Sequence, residues 1–248
     1  MNNLKITILG NGGCINNGLP YNSFLINGNF LIEVPPDIML SLKTLDHDID
    51  LIDTIFISHL HGDHTFGLPF LIINKWMKSG QERKRTPLTI LGPNGIEAYV
   101  KKITEYAFTT ANPCYEWLEQ NVTFCTIQNN IVMPLKNLKL SCFGLRHVIK
   151  SYGFLIENRH ETVFSYIADT TWCRQVEKIL ERRPKIVFID MNGGDPNFHI
   201  SPEEVIEKGL PITQDETTYY GMHLAEEFEH HGANILCGKR GEEIIIQY

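Results

Sequence analysis

Short apolar runs, rich in β-branched and aromatic residues and separated by polar or glycine-containing turns, recur along this chain of 248 residues. Runs of this kind predict buried strands. We expect strands at Leu4–Leu9, Asn22–Ile26, Asn29–Glu33, Leu51–Ile57, Thr86–Leu91, Leu138–Phe143, Gly153–Glu157, Thr162–Ile167, Lys185–Asp190, Ala233–Cys237 and Glu242–Gln247. Asn27-Gly28 separates two of these runs and predicts a tight hairpin.

Longer segments between the strands predict helices. They are Pro35–Leu45, Thr65–Lys78, Pro93–Tyr106, Trp172–Arg182 and Glu226–His231, with a further helix starting at Ser201-Pro202. Ser201 is expected to cap that start, with proline at the first position. Ala107–Gln120 is aromatic and predicts an irregular segment, so 107–134 is a candidate lid or insertion.

The predicted strands form two sets, each followed by helices. Two facing sheets with helices on their outer faces are the simplest way to bury both sets, which indicates an α+β chain. No low-complexity linker divides the sequence, so we expect a single domain over residues 1–248.

Composition narrows the functional classes. The net charge of −7 argues against a protein that coats long nucleic acid, since no extended basic surface is evident. The one basic stretch, Lys78–Arg85, is interpreted as a solvated loop, with a phosphate-contacting patch as the alternative. We find neither a membrane span nor a signal peptide. Six scattered cysteines without a Cys-x-x-Cys pair indicate reduced thiols, so we expect a cytoplasmic protein without membrane association.

Residues 58–64, Ser-His-Leu-His-Gly-Asp-His, follow the apolar run Leu51–Ile57 directly. Imidazole and carboxylate are good ligands for divalent transition metals. His59 and His61 are two apart, so in an extended segment both rings can reach one ion. Gly62 permits a turn, after which Asp63 and His64 diverge from the first pair. The segment can therefore serve two neighbouring metal positions.

This motif resembles the metal signature of the metallo-β-lactamase-fold hydrolases. The resemblance implies an αββα sandwich, with two facing mixed sheets, helices on the outer faces and a dinuclear metal site at the sheet edges. It also implies three later ligands, for which His147, Asp169 and His223 are the candidates, each following a predicted strand.

Other histidines are also candidates for these positions. His160 is the rival of His147, but it lies in a polar turn that predicts a hairpin tip. His230 and His231 are interpreted as surface residues. The resemblance then implies His59, His61 and His147 as ligands of the first ion and Asp63, His64 and His223 as ligands of the second, with Asp169 bridging.

Finer features resemble the phosphodiesterase and ribonuclease Z-like branch. Glu33 and Asp37 match an Asp-x-x-Pro-Asp stretch that supports the metal site, although Glu33 replaces the usual aspartate. His199 resembles a histidine near the leaving group, with an exposed residue before a helix cap as the alternative. Asp63 and His199 are the catalytic candidates. Aromatic residues that could stack on a base are Tyr21, Phe66, Phe108, Tyr115 and Tyr219.

The resemblance implies a metal-dependent phosphodiesterase in which a metal-bridging hydroxide attacks a small phosphodiester, with cyclic nucleotides or ribose cyclic phosphates as the best candidates. Alternatives are a ribonuclease Z-like RNA endonuclease, a lactone, thioester or β-lactam hydrolase, and a non-catalytic nucleotide-binding sink. Two divalent ions are implied, with zinc expected and manganese or iron as alternatives. A homodimer is also implied. The long exosite insertion of ribonuclease Z is missing between His147 and Asp169, which disfavours processing of full-length tRNA.

Overall fold

A computed structural model describes residues 2–82, 87–129, 132–135, 137–193, 195, 197–229, 232 and 234–248. Its strands are β1 Asn3–Gly10, β2 Ser23–Ile26, β3 Phe30–Ile32, β4 Thr54–Phe56, β5 Leu88–Gly92, β6 Val122–Thr126, β7 Val132–Leu135, β8 Leu138–Leu145, β9 Ser151–Glu157, β10 Thr162–Ile167, β11 Ile186–Asp190, β12 Thr218–Met222, β13 Ile235–Cys237 and β14 Glu243–Gln247.

The helices are α1 Ile38–Thr44, α2 Gly62–Thr65, α3 Leu68–Glu82, α4 Ile96–Phe108, α5 Pro113–Asn121, α6 Arg174–Leu180, α7 Pro202–Glu204 and α8 Leu210–Thr213. A 3₁₀ turn spans Ile49–Leu51, and a π-helical turn, Val205–Gly209, joins the last two helices. None of the described helices is both long enough and apolar enough to cross a membrane.

Over the described residues, the strands form two sheets of seven. The first has the order β14-β1-β2-β3-β4-β5-β6 and the second β13-β12-β11-β10-β9-β8-β7. Both are mixed: β1 to β3 pair antiparallel and β3 to β6 parallel, while β8 to β10 pair antiparallel and β10 to β13 parallel. The parallel strands of each sheet therefore end at one edge.

The core lies in three layers. Between the sheets, aromatic side chains of both pack edge to face, with the ring centroids of Phe24 and Phe188 4.9 Å apart and those of Phe56 and Phe154 also 4.9 Å apart. A second cluster buries α1, α3, α4 and α5 against the outer face of the first sheet. A third buries α6 and the residue 202–213 helices against the second sheet. The predicted αββα sandwich is confirmed.

Several local predictions are correct. The Asn27-Gly28 turn has φ values of 52° and 77° and joins the antiparallel β2 and β3, as the hairpin prediction requires. Ser201 caps the following helix by accepting a hydrogen bond from the Glu204 amide. His160 is exposed in the tight turn between β9 and β10, where the Asn158 side chain accepts its amide hydrogen bond.

Other local predictions are wrong. The segment predicted to be irregular contains α5, whose start is capped by Asn112 with Pro113 at its first position. Residues 226–229 are not helical, because backbone hydrogen bonds from the 13–17 loop hold the chain at Leu224 and Ala225. His230 and His231 lie outside the described residues. Strands β6 and β7 were not predicted, while β12 is the strand expected before His223. Since 107–134 supplies α5, β6 and β7, a lid role for it stays a prediction.

Candidate metal centre

The 58–64 motif lies where β4 leaves the first sheet. The chain runs on in extended form to His61 and then turns into the short helix α2. The rings of His59 and His61 have centroids 4.7 Å apart, and His59 Nε2 lies 3.0 Å from His61 Nδ1. A Cβ atom at Gly62 would come within 2.5 Å of the Phe66 ring, so a larger residue at this turn would displace that ring. Both imidazoles are thus aimed at one point.

The remote candidates come from the second sheet. His147 follows β8, Asp169 follows β10 and His223 follows β12. Among the described residues, three groups result, in each of which the potential ligand atoms lie within 4.8 Å of one another. They are His59, His61, His147 and Asp169; Asp63, His64 and His223; and Asp169, His199 and His223. The first two have the residues of the two sets that the resemblance implied, and the third adds His199 beside them.

Asp169 lies between the two groups. Its Oδ2 is 3.7 Å from His59 Nε2 and 3.4 Å from His223 Nε2, and its Oδ1 is 3.5 Å from His64 Nε2. One carboxylate therefore faces histidines of both sets, which is the arrangement needed for a bridging ligand.

Two of the candidate histidines have a hydrogen-bond partner at the other ring nitrogen. Nδ1 of His59 faces Ser58 Oγ at 2.8 Å, and Nδ1 of His147 faces the Phe198 carbonyl at 3.3 Å. Because a carbonyl only accepts, Nδ1 of His147 must carry the proton, which leaves Nε2 free for a metal. Such outer partners fix the tautomer and ring orientation of metal ligands.

The residues fit a divalent metal ion. Several buried polar atoms that face the centre have no hydrogen-bond partner among the residues that the structure describes: His64 Nε2, His147 Nε2 and Asp169 Oδ1. Buried polar groups are normally paired, so convergent unpaired atoms of this kind need a ligand. A set of imidazoles and carboxylates suits zinc, manganese or iron.

The pKa shifts of the clustered residues also fit a metal-binding centre. Burial alone would raise the pKa of Asp169, but His223 and His64 outweigh it and hold that pKa well below its usual range. Burial alone would lower the pKa of His223, but Asp169 and neighbouring carboxylates raise it to about 10. Without metal, some of the clustered histidines are therefore held as imidazolium ions.

Glu33 supports His64 despite its departure from aspartate. Its Oε2 lies 3.5 Å from His64 Nδ1, and both carboxylate oxygens accept from the Ser58 amide at 3.3 Å. The backbone of Glu33 has φ 59°, and His223 has φ 58°. This left-handed conformation is unfavourable for residues other than glycine, and it occurs here at two residues of the site.

Asp37 contacts the loop beside the site. Its Oδ2 accepts the Tyr21 amide at 3.2 Å, so its predicted support of a metal ligand stays a prediction. Burial raises the pKa of its carboxyl. Asp37 therefore holds the loop that carries Tyr21.

His199 lies beside the cluster, with its ring centroid 5.1 Å from that of His223 and 5.6 Å from that of His147. Its Nδ1 is 2.8 Å from Asp190 Oδ2. Burial lowers the pKa of His199, but the hydrogen bond and charge of Asp190 outweigh it and raise the pKa above its usual value. Asp190, which sequence reasoning missed, also accepts the Thr170 amide at 3.2 Å and faces His223 Nδ1 at 3.7 Å.

A cavity of about 720 Å³ opens over the cluster. Of the aromatic residues predicted to stack on a base, Tyr21 and Phe66 line it; Phe66 is half exposed at the rim. The structure places the other three elsewhere. Phe108 packs on Phe70, Tyr115 lies on α5, and Tyr219 is fully buried with its hydroxyl against Thr213. Additional lining residues, without a motif that could have revealed them, are Cys14, Val148 and Phe198.

A known protein family matches most of this chain. The family model described as Anti-Pycsar protein Apyc1 matches residues 4–241. The chain belongs to this family. The Apyc1 family match thus includes strands of both sheets, without β14, and all seven candidate ligands.

Ribonuclease Z proteins are also similar to this member of the Apyc1 family. That of Staphylococcus haemolyticus (strain JCSC1435) is 35% identical over 118 residues, which are 47% of this chain and 35% of the relative. That of Latilactobacillus sakei is 37% identical over 111 residues, 43% of this chain and 31% of the relative. The chain thus spans about a third of the length of the curated relatives it matches.

Solved structures share the fold. The metallo-beta-lactamase fold protein YhfI from Bacillus subtilis has a TM-score of 0.76 at 14% identity and covers 98% of this chain and 100% of its own. A diphosphatase from the PhnP family has a TM-score of 0.73 at 16% identity, with 98% and 97% coverage. Human tRNase Z, short form, has a TM-score of 0.71 at 18% identity, with 97% and 98% coverage. The prediction of a metallo-β-lactamase fold is confirmed, and the neighbours and relatives named by an activity are hydrolases.

Proposed function

We propose that this protein is a metal-dependent phosphodiesterase that hydrolyses a small phosphodiester, with cyclic nucleotides or ribose cyclic phosphates as its substrates. The observation that carries the proposal is the His199–Asp190 pair beside the cluster of potential metal ligands. A cluster alone would serve carbonyl hydrolysis as well. A protonated imidazole next to it suits the departure of an alkoxide from phosphorus, where the leaving oxygen needs a proton.

The chain's residues supply binding, orientation and proton transfer. His59, His61, His147 and Asp169 would hold one ion, and Asp63, His64 and His223 the other, with Asp169 shared. When bound, the two ions would lower the pKa of a coordinated water and neutralise charge on the phosphoryl oxygens. We propose zinc as the native metal, because the donor set is rich in histidine.

His199 is proposed as the general acid. Asp190 accepts a hydrogen bond from its Nδ1, so the proton that reaches the leaving oxygen must come from Nε2, at the wall of the cavity. Asp63 lines the same cavity and its Oδ2 is 3.2 Å from His223 Nε2. We propose that Asp63 accepts a hydrogen bond from the attacking water and orients it for attack.

The cavity supports a substrate the size of one nucleotide. Its volume of about 720 Å³ lies within the range of small-molecule sites, roughly 300–1,000 Å³. Tyr21, Phe66 and Phe198 offer aromatic surface around the opening. A base stacked on such a ring would leave the diester at the metal cluster. The net charge of −7 supports a small substrate over an extended RNA.

A ribonuclease Z-like RNA endonuclease is the second candidate, because the curated relatives carry that name. A panel of substrates separates the two with zinc- or manganese-reconstituted protein: cyclic nucleotides, ribose cyclic phosphates, bis-p-nitrophenyl phosphate, a lactone and a precursor tRNA. Turnover of the small cyclic diesters supports the proposal. Activity on the lactone alone, or on the RNA alone, contradicts it.

His199→Ala tests the proposed mechanism. We expect turnover of a cyclic diester to fall by about 10²–10⁴-fold, the usual contribution of general acid catalysis. His160→Ala is the matched control, since His160 is exposed at the tip of the β9–β10 turn. Near-normal turnover by the His199 variant would contradict the mechanism.

We also propose a cytoplasmic homodimer. An apolar stripe supports the dimer: Phe66, Phe70 and Met77 are all about half exposed on one side of α2 and α3. Burial of such a stripe by a second copy would remove apolar area from water. Light scattering of the wild type and Phe70→Glu tests this; a monomeric wild type contradicts it.

A further inference from the structure

A buried chain of hydrogen bonds joins the two sheets behind the metal-ligand cluster. The side-chain amide of Asn22 donates to the Tyr166 hydroxyl at 3.0 Å, and that hydroxyl donates to Glu33 Oε1 at 3.1 Å. The other oxygen of Glu33 lies 3.5 Å from His64 Nδ1, which is an ion-pair contact and not a further hydrogen bond of the chain. Tyr166 and Glu33 are completely buried and Asn22 is nearly so. The proposed mechanism does not use Asn22 or Tyr166.

Glu33 needs a second anchor. A carboxylate taken out of water is costly unless its oxygens are hydrogen-bonded. The Ser58 amide is shared between both oxygens at 3.3 Å, which is long for an N–H donor. Glutamate also has one more rotatable bond than the aspartate usual in this position, so its carboxylate has more orientations to choose from. The Tyr166 hydroxyl adds a second donor, at 3.1 Å, and it contacts Oε1 only.

The Tyr166 hydroxyl has a role that is separable from the ring. The ring packs in the aromatic layer between the sheets, with its centroid 5.1 Å from that of Phe24 and 5.7 Å from that of Phe154. Phenylalanine would fill the same space. A hydroxyl buried in that layer is unfavourable unless it has partners, and its partners are the loop residue Asn22 and the carboxylate behind His64.

The position of Tyr166 also links the two halves of the centre. Tyr166 belongs to β10 of the second sheet, three residues before Asp169. Glu33 follows β3 of the first sheet, and its amide donates to the Phe56 carbonyl of the strand that leads to the histidine motif. The hydrogen bond between Tyr166 and Glu33 therefore connects the two sheets. It joins β10, which leads to Asp169, to a residue that is bonded to β4, which leads to His64.

We propose that Tyr166 is a positioning residue: its hydroxyl, supported by Asn22, fixes the Glu33 carboxylate against His64 and thereby holds His64 in the orientation of a metal ligand. The inference rests on the proposed two-metal function. Glu33 and Tyr166 act as a pair, in which a tyrosine of the opposite sheet holds the side chain of a glutamate that is longer than aspartate.

Metal titration of Tyr166→Phe tests the proposal without relying on catalysis. Metal-free wild type and variant are titrated with zinc against a chromophoric chelator, and bound zinc is counted by elemental analysis. We expect two ions per wild-type chain and, in the variant, roughly 10- to 100-fold weaker binding of the second ion, the usual effect of removing an outer-shell partner. The first ion should bind with unchanged affinity.

Tyr219→Phe is the matched control. Tyr219 is also a fully buried tyrosine of the second sheet with a hydrogen-bonded hydroxyl, but its partner is Thr213, outside the cavity. Unchanged binding of both ions by Tyr166→Phe, or equal weakening by Tyr219→Phe, would overturn the proposal. If Tyr166→Phe does not fold, Asn22→Ala replaces it, with a smaller loss for the second ion expected and no loss contradicting the role.

A second readout separates this proposal from the proposed function. On bis-p-nitrophenyl phosphate, Tyr166→Phe should lower kcat and leave KM nearly unchanged, and its effect should be non-additive with that of Glu33→Gln, since the two share one hydrogen bond. Additive effects would contradict the pair. If the wild type hydrolyses no diester, the proposed function fails, and selective weakening of the second zinc still supports the role of Tyr166.

Discussion

Asp190→Asn is the sharpest test of how the centre handles protons. The substitution keeps the size of the side chain but removes its charge. Asp190 Oδ2 accepts from His199 Nδ1 at 2.8 Å and from the Thr170 amide at 3.2 Å, and Oδ1 accepts the Asn192 amide at 3.0 Å. An asparagine has one oxygen for these donors and presents an NH₂ group to the rest. We expect His199 to lose its fixed orientation and part of its proton affinity.

The magnitude follows from the type of contact. A hydrogen bond to a charged group is worth about 1.5–3 kcal/mol. If losing this contact lowers the fraction of His199 that is protonated and correctly oriented by the same free energy, turnover slows by about 10- to 150-fold. The effect should be large for a cyclic nucleotide, whose alkoxide leaving group needs a proton. It should be small for bis-p-nitrophenyl phosphate, whose phenolate leaves without one.

The pH dependence has a definite sign. Asp190 raises the pKa of His199, so the acid form persists to higher pH than in a free histidine. Activity on the cyclic substrate should fall as pH rises through this pKa, and Asp190→Asn should move that alkaline limb to lower pH. The assay is kcat against pH for both substrates, with zinc content measured in each sample because Asp190 also faces His223. An unmoved limb, or equal losses on both substrates at full zinc content, would refute the reasoning.

Four further predictions follow from the same geometry. Asp169→Asn should reduce bound zinc to below one ion per chain by elemental analysis, because it removes the carboxylate charge shared by both groups; two retained ions would contradict the bridging role. Zinc affinity, measured by chelator competition, should rise from pH 6 to pH 8, because zinc must displace protons from the histidines. In the metal-free protein, the raised pKa of His223 predicts a contribution to stability that is complete below about pH 6.5 and is lost as the pH rises through about 10. A Tm without this trend would contradict that second prediction. Phe66→Ala should raise KM for a cyclic nucleotide by about 5- to 150-fold, the range for loss of one base–aromatic stack, with little change in Tm because the ring is half exposed; an unchanged KM would exclude stacking on Phe66.

Turns and residue spacings that depend on local backbone geometry could be predicted from the sequence. The Asn27-Gly28 turn and the two-residue spacing of His59 and His61 follow from backbone geometry, and both are as predicted. Asp190 was missed although it carries the same signal as Asp169, an acid at the end of a buried apolar strand. The two differ only in that a family pattern drew attention to Asp169.

Features that depend on long-range pairing could not be predicted in the same way. The contact between Tyr166 and Glu33 joins residues of opposite sheets, and no spacing in the chain announces it. The Glu226–His231 segment looked helical by composition, but hydrogen bonds to the 13–17 loop set the backbone of Leu224 and Ala225 just before it. Tyr219 had the residue type of a substrate contact, and only the register of β12 places its side chain in the outer core of the second sheet.

The parallel pairing of the second sheet explains why its functional groups meet. In register, Ile167 pairs with Ile189, and Asp190 pairs with Met222. Asp169, Asp190 and His223 therefore follow one another along a single edge, although more than fifty residues separate the first from the last. The histidine motif reaches the same edge from β4 of the first sheet, so the centre is complete only when the two sheets hold a fixed relative position. The aromatic layer between them sets their spacing, and the Tyr166 hydroxyl ties that layer to Glu33 at the point where the metal ligands begin. Tyr166 thus contributes its ring to the packing between the sheets and its hydroxyl to the metal-ligand cluster. Tyr166→Phe keeps the ring and removes only the hydroxyl, so we expect it to weaken metal binding more than it weakens the fold.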